Sequence, residues 1–446
     1  MNLARTQWLL AAATLVLAVL LGGGQGTLGD TLCQLLAVTL LVTVVVRQAT
    51  DTDAALPRVA WLALVPVALP LLQLLPVPEA LWTMPAARAD IAAQLASVGV
   101  EPPHRLGLVP LATERALFWL LPAVSLFLAT LQMTPRARLR LVLVFLALAA
   151  VSMVLGIAQL SAGKDSGLRF YDITNPSSAV GFFANRNHFA MLLVAAIPFV
   201  MIGTAAQVFR RLESGQSLAL WIWAGAGAIV LLFLSIATAG SRAGLLLGVM
   251  ALVLSVPAVM GFHRSRRTKL LIGSLMGAGA AIGLAFVVFG ATRSFSKDPL
   301  EESRVQFANI TLEAARAHAP LGTGLGGFRR AFEGFDTQSP LNVYVNHAHS
   351  DPVELWLEGG WLFPPLALVL GAAFLVAGWR AWRHGDGRGG SDGIWVSRAA
   401  WIALLLISAH SFVDYPLRTT THLALAGLLA ACLVRAARPS THLRIE

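Results

Sequence analysis

The sequence predicts an all-α polytopic membrane protein with about twelve transmembrane helices and one large outer loop that carries short helices. Three observations lead there. Of the 446 residues, 57% are hydrophobic and mean hydropathy is +0.71, whereas soluble domains hold roughly 45–50% apolar residues. The excess is gathered into blocks of about 16–22 residues, enough to cross a hydrocarbon core about 30 Å thick as a helix. The short connections between blocks are rich in arginine on alternate sides, as expected where positive charge fixes orientation.

Taken in order, the blocks lie near 8–23, 31–46, 59–76, 116–133, 141–161, 188–207, 218–238, 243–261, 270–290, 361–379, 394–413 and 421–436. One set of loops holds Arg47, Arg58, Arg136, Arg138, Arg140, Arg210 and Arg211. It continues through Arg264, Arg266, Arg267, Lys269, Arg380, Arg383 and Arg388. These loops and both termini are expected on the cytoplasmic side. The net charge of +10 is thereby accounted for by orientation, and no nucleic-acid partner is implied. Arg5 before the first block resembles a signal peptide, but no A-x-A-like cleavage site follows and a second block comes at once, so an uncleaved anchor is expected. Cys33 and Cys432 lie in apolar blocks, and no disulfide or cysteine-bound metal is implied.

Polar mass concentrates on the outer side, in 77–115, 162–187 and 291–360. The last is far longer than an ordinary connection, and loops of that size tend to be functional or disordered. Within it, 301–318 has helical spacing, with Val305, Ile310, Leu312 and Ala315 among polar residues. Pro320 and Gly322, Gly324, Gly326 and Gly327 then end the helix. Gly322, Gly324 and Gly327 form G-x-G-x-x-G, but a dinucleotide site needs a strand before it and an acid about 20 residues on. A tight turn against the membrane domain is expected instead. The chain divides into 1–180, 181–290, 291–360 and 361–446: five N-terminal spans with an outer loop, four core spans, a long outer loop expected to carry the function, and three final spans with a tail.

Three arginines fall outside the orienting set: Arg186 in GFFANRNHFA, Arg242 in ATAGSRAGLLL, and Arg304 at the start of the long outer loop's helix. Cations near hydrocarbon usually face a wet cavity or a partner, and the guanidinium fork suits phosphate oxygens. Each also has a plainer use: Arg186 could snorkel to head groups, Arg242 could cap a helix, Arg304 could pair with Glu301 or Glu302. Taken together on one face they favour an anionic site, with phosphate on a lipid the natural candidate.

The stretch VNHAHSDPVELWLEGG, 345–360, sets Asn346, His347, His349, Asp351 and Glu354 just before an apolar block. The alternation of His347, His349 and Asp351 could suit a metal, although Pro352 follows and no second ligand cluster appears. A histidine held by one hydrogen bond in a loop is the commonest alternative. The third is a general base, since imidazole titrates near neutral pH and Asp351 or Glu354 could orient it.

These residues resemble the O-antigen ligase and Wzy-type polymerase superfamily over roughly 180–430. His349, Ser350 and Gly360 fit the ligase signature; Phe363, Pro364 and Pro365 stand where many ligases carry further glycines. GFFANRNHFAMLL, the GSRAG and PLGTGLGGF turns, and SFVDYPLRTTTHLALAGLL also look like the family. The resemblance implies an inverting glycosyltransferase without metal or other cofactor, working at the periplasmic face of the bacterial inner membrane. His349 would deprotonate the acceptor hydroxyl. Arg186, Arg242 and Arg304 would hold undecaprenyl pyrophosphate as the leaving group, and Asn346, His347, Asp351 and Glu354 would support the site. The implied partners are an undecaprenyl-pyrophosphate-linked glycan donor, a lipid A–core or other glycan acceptor, and the bilayer. A polymerase joining lipid-linked repeat units is the alternative within the family, and a transporter of an anionic substrate the alternative outside it.

Overall fold

A computed structural model describes residues 2–24, 27–102, 104–163, 167–171, 175–261, 299–337, 344–383 and 392–434. Their regular structure is helical, apart from one isolated bridge between Pro76 and Arg105. The helices are α1 (Leu3–Leu21), α2 (Thr27–Thr50), α3 (Leu64–Gln73), α4 (Glu79–Trp82), α5 (Ala86–Ser97), α6 (Pro110–Trp119), α7 (Leu121–Leu131), α8 (Pro135–Ala162) and α9 (Arg186–Glu213). After them come α10 (Ala219–Ala239), α11 (Arg242–Met260), α12 (Pro299–Ala317), α13 (Phe328–Phe335), α14 (Asp351–Gly359), α15 (Phe363–Arg383), α16 (Asp392–His410) and α17 (Thr420–Val434).

Nine stretches of helix among the described residues are long and apolar enough to cross a membrane, and two shorter apolar stretches, Arg58–Gln73 and Thr420–Val434, lie where the third and twelfth spans are expected. The expected span at 270–290 and its basic loop at 264–269 lie outside the described residues. The chain is a multi-pass helical membrane protein.

At its centre stands α9, whose residues from Asn187 to Phe199 are all buried. A helix apolar on every side must be enclosed on every side, and α8, α10, α11 and α16 surround it. Close approach depends on small residues: a Cβ on Gly244 of α11 would lie 2.6 Å from Ala190 Cβ of α9. Asn185 caps α9 by accepting from Asn187 N at 2.7 Å, and Ser241 caps α11 by accepting from Gly244 N at 3.0 Å. The caps fix Arg186 and Arg242 at adjacent helix starts on the same side of the bundle, for α10 runs antiparallel between them in sequence.

Helices α12, α13 and α14 and the segment before α14 enclose a small core of their own, made by Phe307, Ile310, Ala314, Ala315, Phe328, Ala331, Phe332, Ala348 and Leu357. The buried stripe of α12 is therefore Phe307, Ile310, Thr311, Ala314 and Ala315, a helical repeat of three and four. Val305, expected in that stripe, is 68% exposed instead, because it sits almost opposite Phe307 on the helix.

The glycine turn packs as expected. Glu358 Oε1 accepts from Gly326 N at 2.8 Å, the Glu358 carbonyl accepts from Gly324 N at 2.9 Å, and the Gln73 amide donates to that carbonyl and accepts from Leu325 N, both at 2.9 Å. The buried guanidinium of Arg88 donates to the carbonyls of Arg105, Leu106 and Gly322. The turn thus ties α3, α5 and α14 together. Gly360 has φ +53°, and a Cβ there would fall on the Pro320 carbonyl oxygen; the signature glycine is required by packing.

Candidate functional site

His349 ends the irregular segment that leads into α14. Its φ is +54°, a left-handed conformation found in no other described residue except glycines. Such backbone costs of order 1–3 kcal/mol, tends to cluster at functional sites, and is tolerated better by His than by branched residues. The turn aims the imidazole at the loop between α16 and α17, and Nδ1 lies 3.3 Å from Asp414 Oδ1. Against an ionised carboxylate the ring nitrogen is the donor, which leaves Nε2 as the basic nitrogen.

Asp414 is fully buried and shared. Its Oδ1 also accepts from Tyr415 N at 3.0 Å and lies 3.9 Å from His188 Nε2. Its Oδ2 accepts from Asn187 Nδ2 at 2.7 Å and lies 3.8 Å from Arg304 Nη2, while Arg304 Nη1 donates to the Val413 carbonyl at 3.0 Å. Burial pushes the Asp414 carboxyl up. The His349 hydrogen bond, with His188, Arg304 and His410, outweighs it and holds the group well below the usual carboxylate range.

Tyr415 is the surface on which the imidazoles rest. Its ring centroid lies 4.3 Å from His347, 5.0 Å from His349 and 4.9 Å from His188. Asn346 Nδ2 donates to its hydroxyl at 3.5 Å. Burial, and next the charge of Asp414, push that hydroxyl up to about 12, so it stays protonated.

A second cluster backs the first. Arg418 sits among three buried acids of α14: Asp351 Oδ1 at 3.6 Å, Glu354 Oε1 at 3.5 Å and Glu358 Oε2 at 2.7 Å. Those carboxylates raise the guanidinium above its usual range although burial opposes this. Glu354 also binds His347 Nδ1 at 2.9 Å and accepts from Ala348 N at 2.9 Å. Asp351 accepts from Ser411 Oγ at 2.7 Å and Leu417 N at 3.3 Å. Hence neither Asp351 nor Glu354 orients His349, contrary to expectation. They start α14, are buried, and are taken by Arg418, the Ser411 hydroxyl, the backbone N–H groups of Leu417 and Ala348, and His347, leaving Asp414 for His349.

Of the three arginines singled out, Arg304 joins the His349–Asp414 pair directly. Arg186 is next to Asn187 and His188, and its Nη1 faces the turn before Arg242, 3.7 Å from where a Gly240 Cβ would lie. Arg242 is exposed at the start of α11. Sequence reasoning missed Asp414, Asn187, His188, Tyr415 and Arg418. All five lie inside GFFANRNHFA or SFVDYPLRTTTHLALAGLL, but only a signal of pairing across the chain could have picked them out.

Residues 227–362 match the family model described as O-antigen ligase. The chain carries an O-antigen ligase domain. The matched stretch is narrower than the motif resemblance: it includes Arg242, Arg304, His347, His349, Asp351, Glu354 and Gly360, and excludes Arg186, Asp414 and Arg418. No curated protein matches the chain. The matched stretch thus holds the imidazole, the loop between α16 and α17 supplies its carboxylate Asp414, and α9 adds Asn187 and His188 against that carboxylate.

Proposed function

We propose that the protein transfers glycan from undecaprenyl pyrophosphate to an acceptor sugar, at the periplasmic face of the inner membrane and by a single inverting displacement. His349 Nε2 takes the proton from the acceptor hydroxyl as its oxygen attacks the anomeric carbon. The bond from that carbon to the pyrophosphate oxygen breaks, and undecaprenyl pyrophosphate leaves with the electron pair. Arg304, Arg186 and Arg242 face the charge that develops on the leaving group, where preorganised donors contribute most. The starts of α9 and α11 add the positive ends of two helices. Asp414 keeps Nδ1 protonated and steadies the imidazolium formed.

The observation that carries this reading is the sharing of Asp414 between His349 and Arg304, which sets a base and a phosphate-type donor on one buried carboxylate. The cluster lies at the ends of α9, α16 and α17 rather than halfway along them, where a transporter's site belongs. The family includes ligases and polymerases, and the reaction products separate them. Purified protein is given synthetic undecaprenyl-pyrophosphate glycan with and without lipid A–core acceptor. We expect acceptor bearing one glycan and stoichiometric undecaprenyl pyrophosphate. A ladder of lengthening lipid-linked glycan without acceptor marks a polymerase, and no transfer in either reaction overturns the reading.

A further inference from the structure

Arg169 lies outside every group described so far. It occupies the short irregular segment after α8, between Leu168, 38% exposed, and Phe170, 55% exposed. That segment is held firmly. Gln159 of α8 donates to the Leu168 carbonyl at 3.0 Å and to the Gly181 carbonyl at 2.8 Å, and accepts from Val180 N and Gly181 N at 3.1 and 2.9 Å. One side chain therefore staples 168 to the stretch leading into Arg186. The Tyr171 hydroxyl donates to the Leu21 carbonyl at 2.7 Å, and the Phe170 and Phe182 rings lie 5.6 Å apart.

The cation points toward the arginine cluster. Arg169 Nη1 donates to the Ser178 carbonyl at 3.2 Å and Nη2 to the Pro176 carbonyl at 2.6 Å. Ser178 in turn faces the Gly240 turn: a Cβ on Gly240 would lie 3.9 Å from Ser178 Oγ and 3.7 Å from Arg186 Nη1. Ala179 N donates to the Thr238 carbonyl at 3.2 Å, which locks this edge to the end of α10. Arg169 and Arg186 thus reach Ser178 and the turn before Arg242 from two directions, and the exposed side chains of Leu168 and Phe170 flank Arg169.

We infer that Arg169 is a further contact for the lipid pyrophosphate and that Leu168 and Phe170 mark where its isoprenoid chain leaves the bilayer to enter the site. The assignment rests on the proposed donor. A polyprenyl pyrophosphate joins an anionic head to a branched hydrocarbon tail, the same pairing that a guanidinium between two exposed apolar side chains offers. Two phosphates also carry more charge than one guanidinium balances, so several arginines suit them.

The test places a photoreactive benzoylphenylalanine at Phe170, with a control at Trp223, 75% exposed on α10. Full-length protein in lipid nanodiscs receives radiolabelled undecaprenyl pyrophosphate. We expect saturable labelling at 170 well above that at 223, suppressed by unlabelled lipid but not by equimolar inorganic pyrophosphate. Arg169→Ala should weaken it about tenfold, the loss of one charge-assisted hydrogen bond, with Arg169→Lys between; in transfer assays KM for the donor should rise while kcat holds. Labelling at 170 no higher than at 223, or equal competition by inorganic pyrophosphate, overturns the inference. Should Arg169→Ala not fold, the wild-type background still decides. His349→Ala separates the two proposals: labelling at 170 with normal transfer by that variant sinks the function and spares the entry site, whereas His349-dependent transfer with background labelling does the reverse.

Discussion

At the scale of single residues, the account turns on how His349 is held. A left-handed backbone, a hydrogen bond to a buried carboxylate and a tyrosine ring fix its direction, and each gives a different expectation. Asp414→Asn keeps the shape but lets the imidazole take either tautomer, so transfer should fall while His349 stays in place; undiminished turnover by the folded variant contradicts the orienting role. The same substitution tests a pH effect. The Asp414 carboxyl is depressed in the folded state, so its contribution to stability is complete above the unfolded value of about 3.9 and is lost as pH falls through the lower folded value. Thermal melts from pH 7 to pH 2 should show an acid loss in the wild type that is shallower in Asp414→Asn. Lysine at Arg304 keeps the charge and loses the fork; transfer should drop there at normal membrane abundance. His349 was legible in the sequence because its chemistry and signature spacing are local. Its partner lies 65 residues on, and Asp351 and Glu354 were nearer, equally acidic and wrong for that role. Nothing in one sequence tells which acid folds onto which imidazole.

At the scale of elements, a buried ion cluster joins α14 to the loop after α16. Arg418 binds three acids in a buried place. Removing one partner of such a group leaves the others uncompensated and costs about 3–5 kcal/mol. Arg418→Leu should therefore lower the melting temperature markedly; an unchanged melting temperature contradicts this. Gly360→Ala should also destabilise, because φ +53° and the Pro320 carbonyl leave no room for a Cβ. Helix positions were readable from apolar blocks, and α12 from its period. The side that α12 buries was misread at Val305, since two apolar rows run along the helix and only the packing of α13 and α14 decides between them.

At the scale of the whole molecule, α9 sets the geometry. It is buried along its N-terminal half, and its start carries Arg186, Asn187 and His188 up to the carboxylate that serves His349. The arginine-rich loops predict that those helix starts lie on the side away from the cytoplasm. A cysteine in place of the exposed Glu333 of α13 should react with a membrane-impermeant thiol reagent in intact spheroplasts; labelling only after the inner membrane is opened contradicts the topology. The apolar blocks mark which stretches are long enough to cross a bilayer. They do not reveal that two of them form shorter helices beside the site, because hydropathy counts residues and not how they bend around one another.

The central claim, that His349 is the base, is tested most directly by purified His349→Ala and His347→Ala compared in the same transfer assay. Loss of a general base typically costs about 10²–10⁴ in rate. The account predicts that loss for His349→Ala, with near-normal folding and lipid binding, and a milder loss for His347→Ala, whose ring is held by Glu354. Normal transfer by His349→Ala contradicts the account, whether or not His347→Ala is inactive.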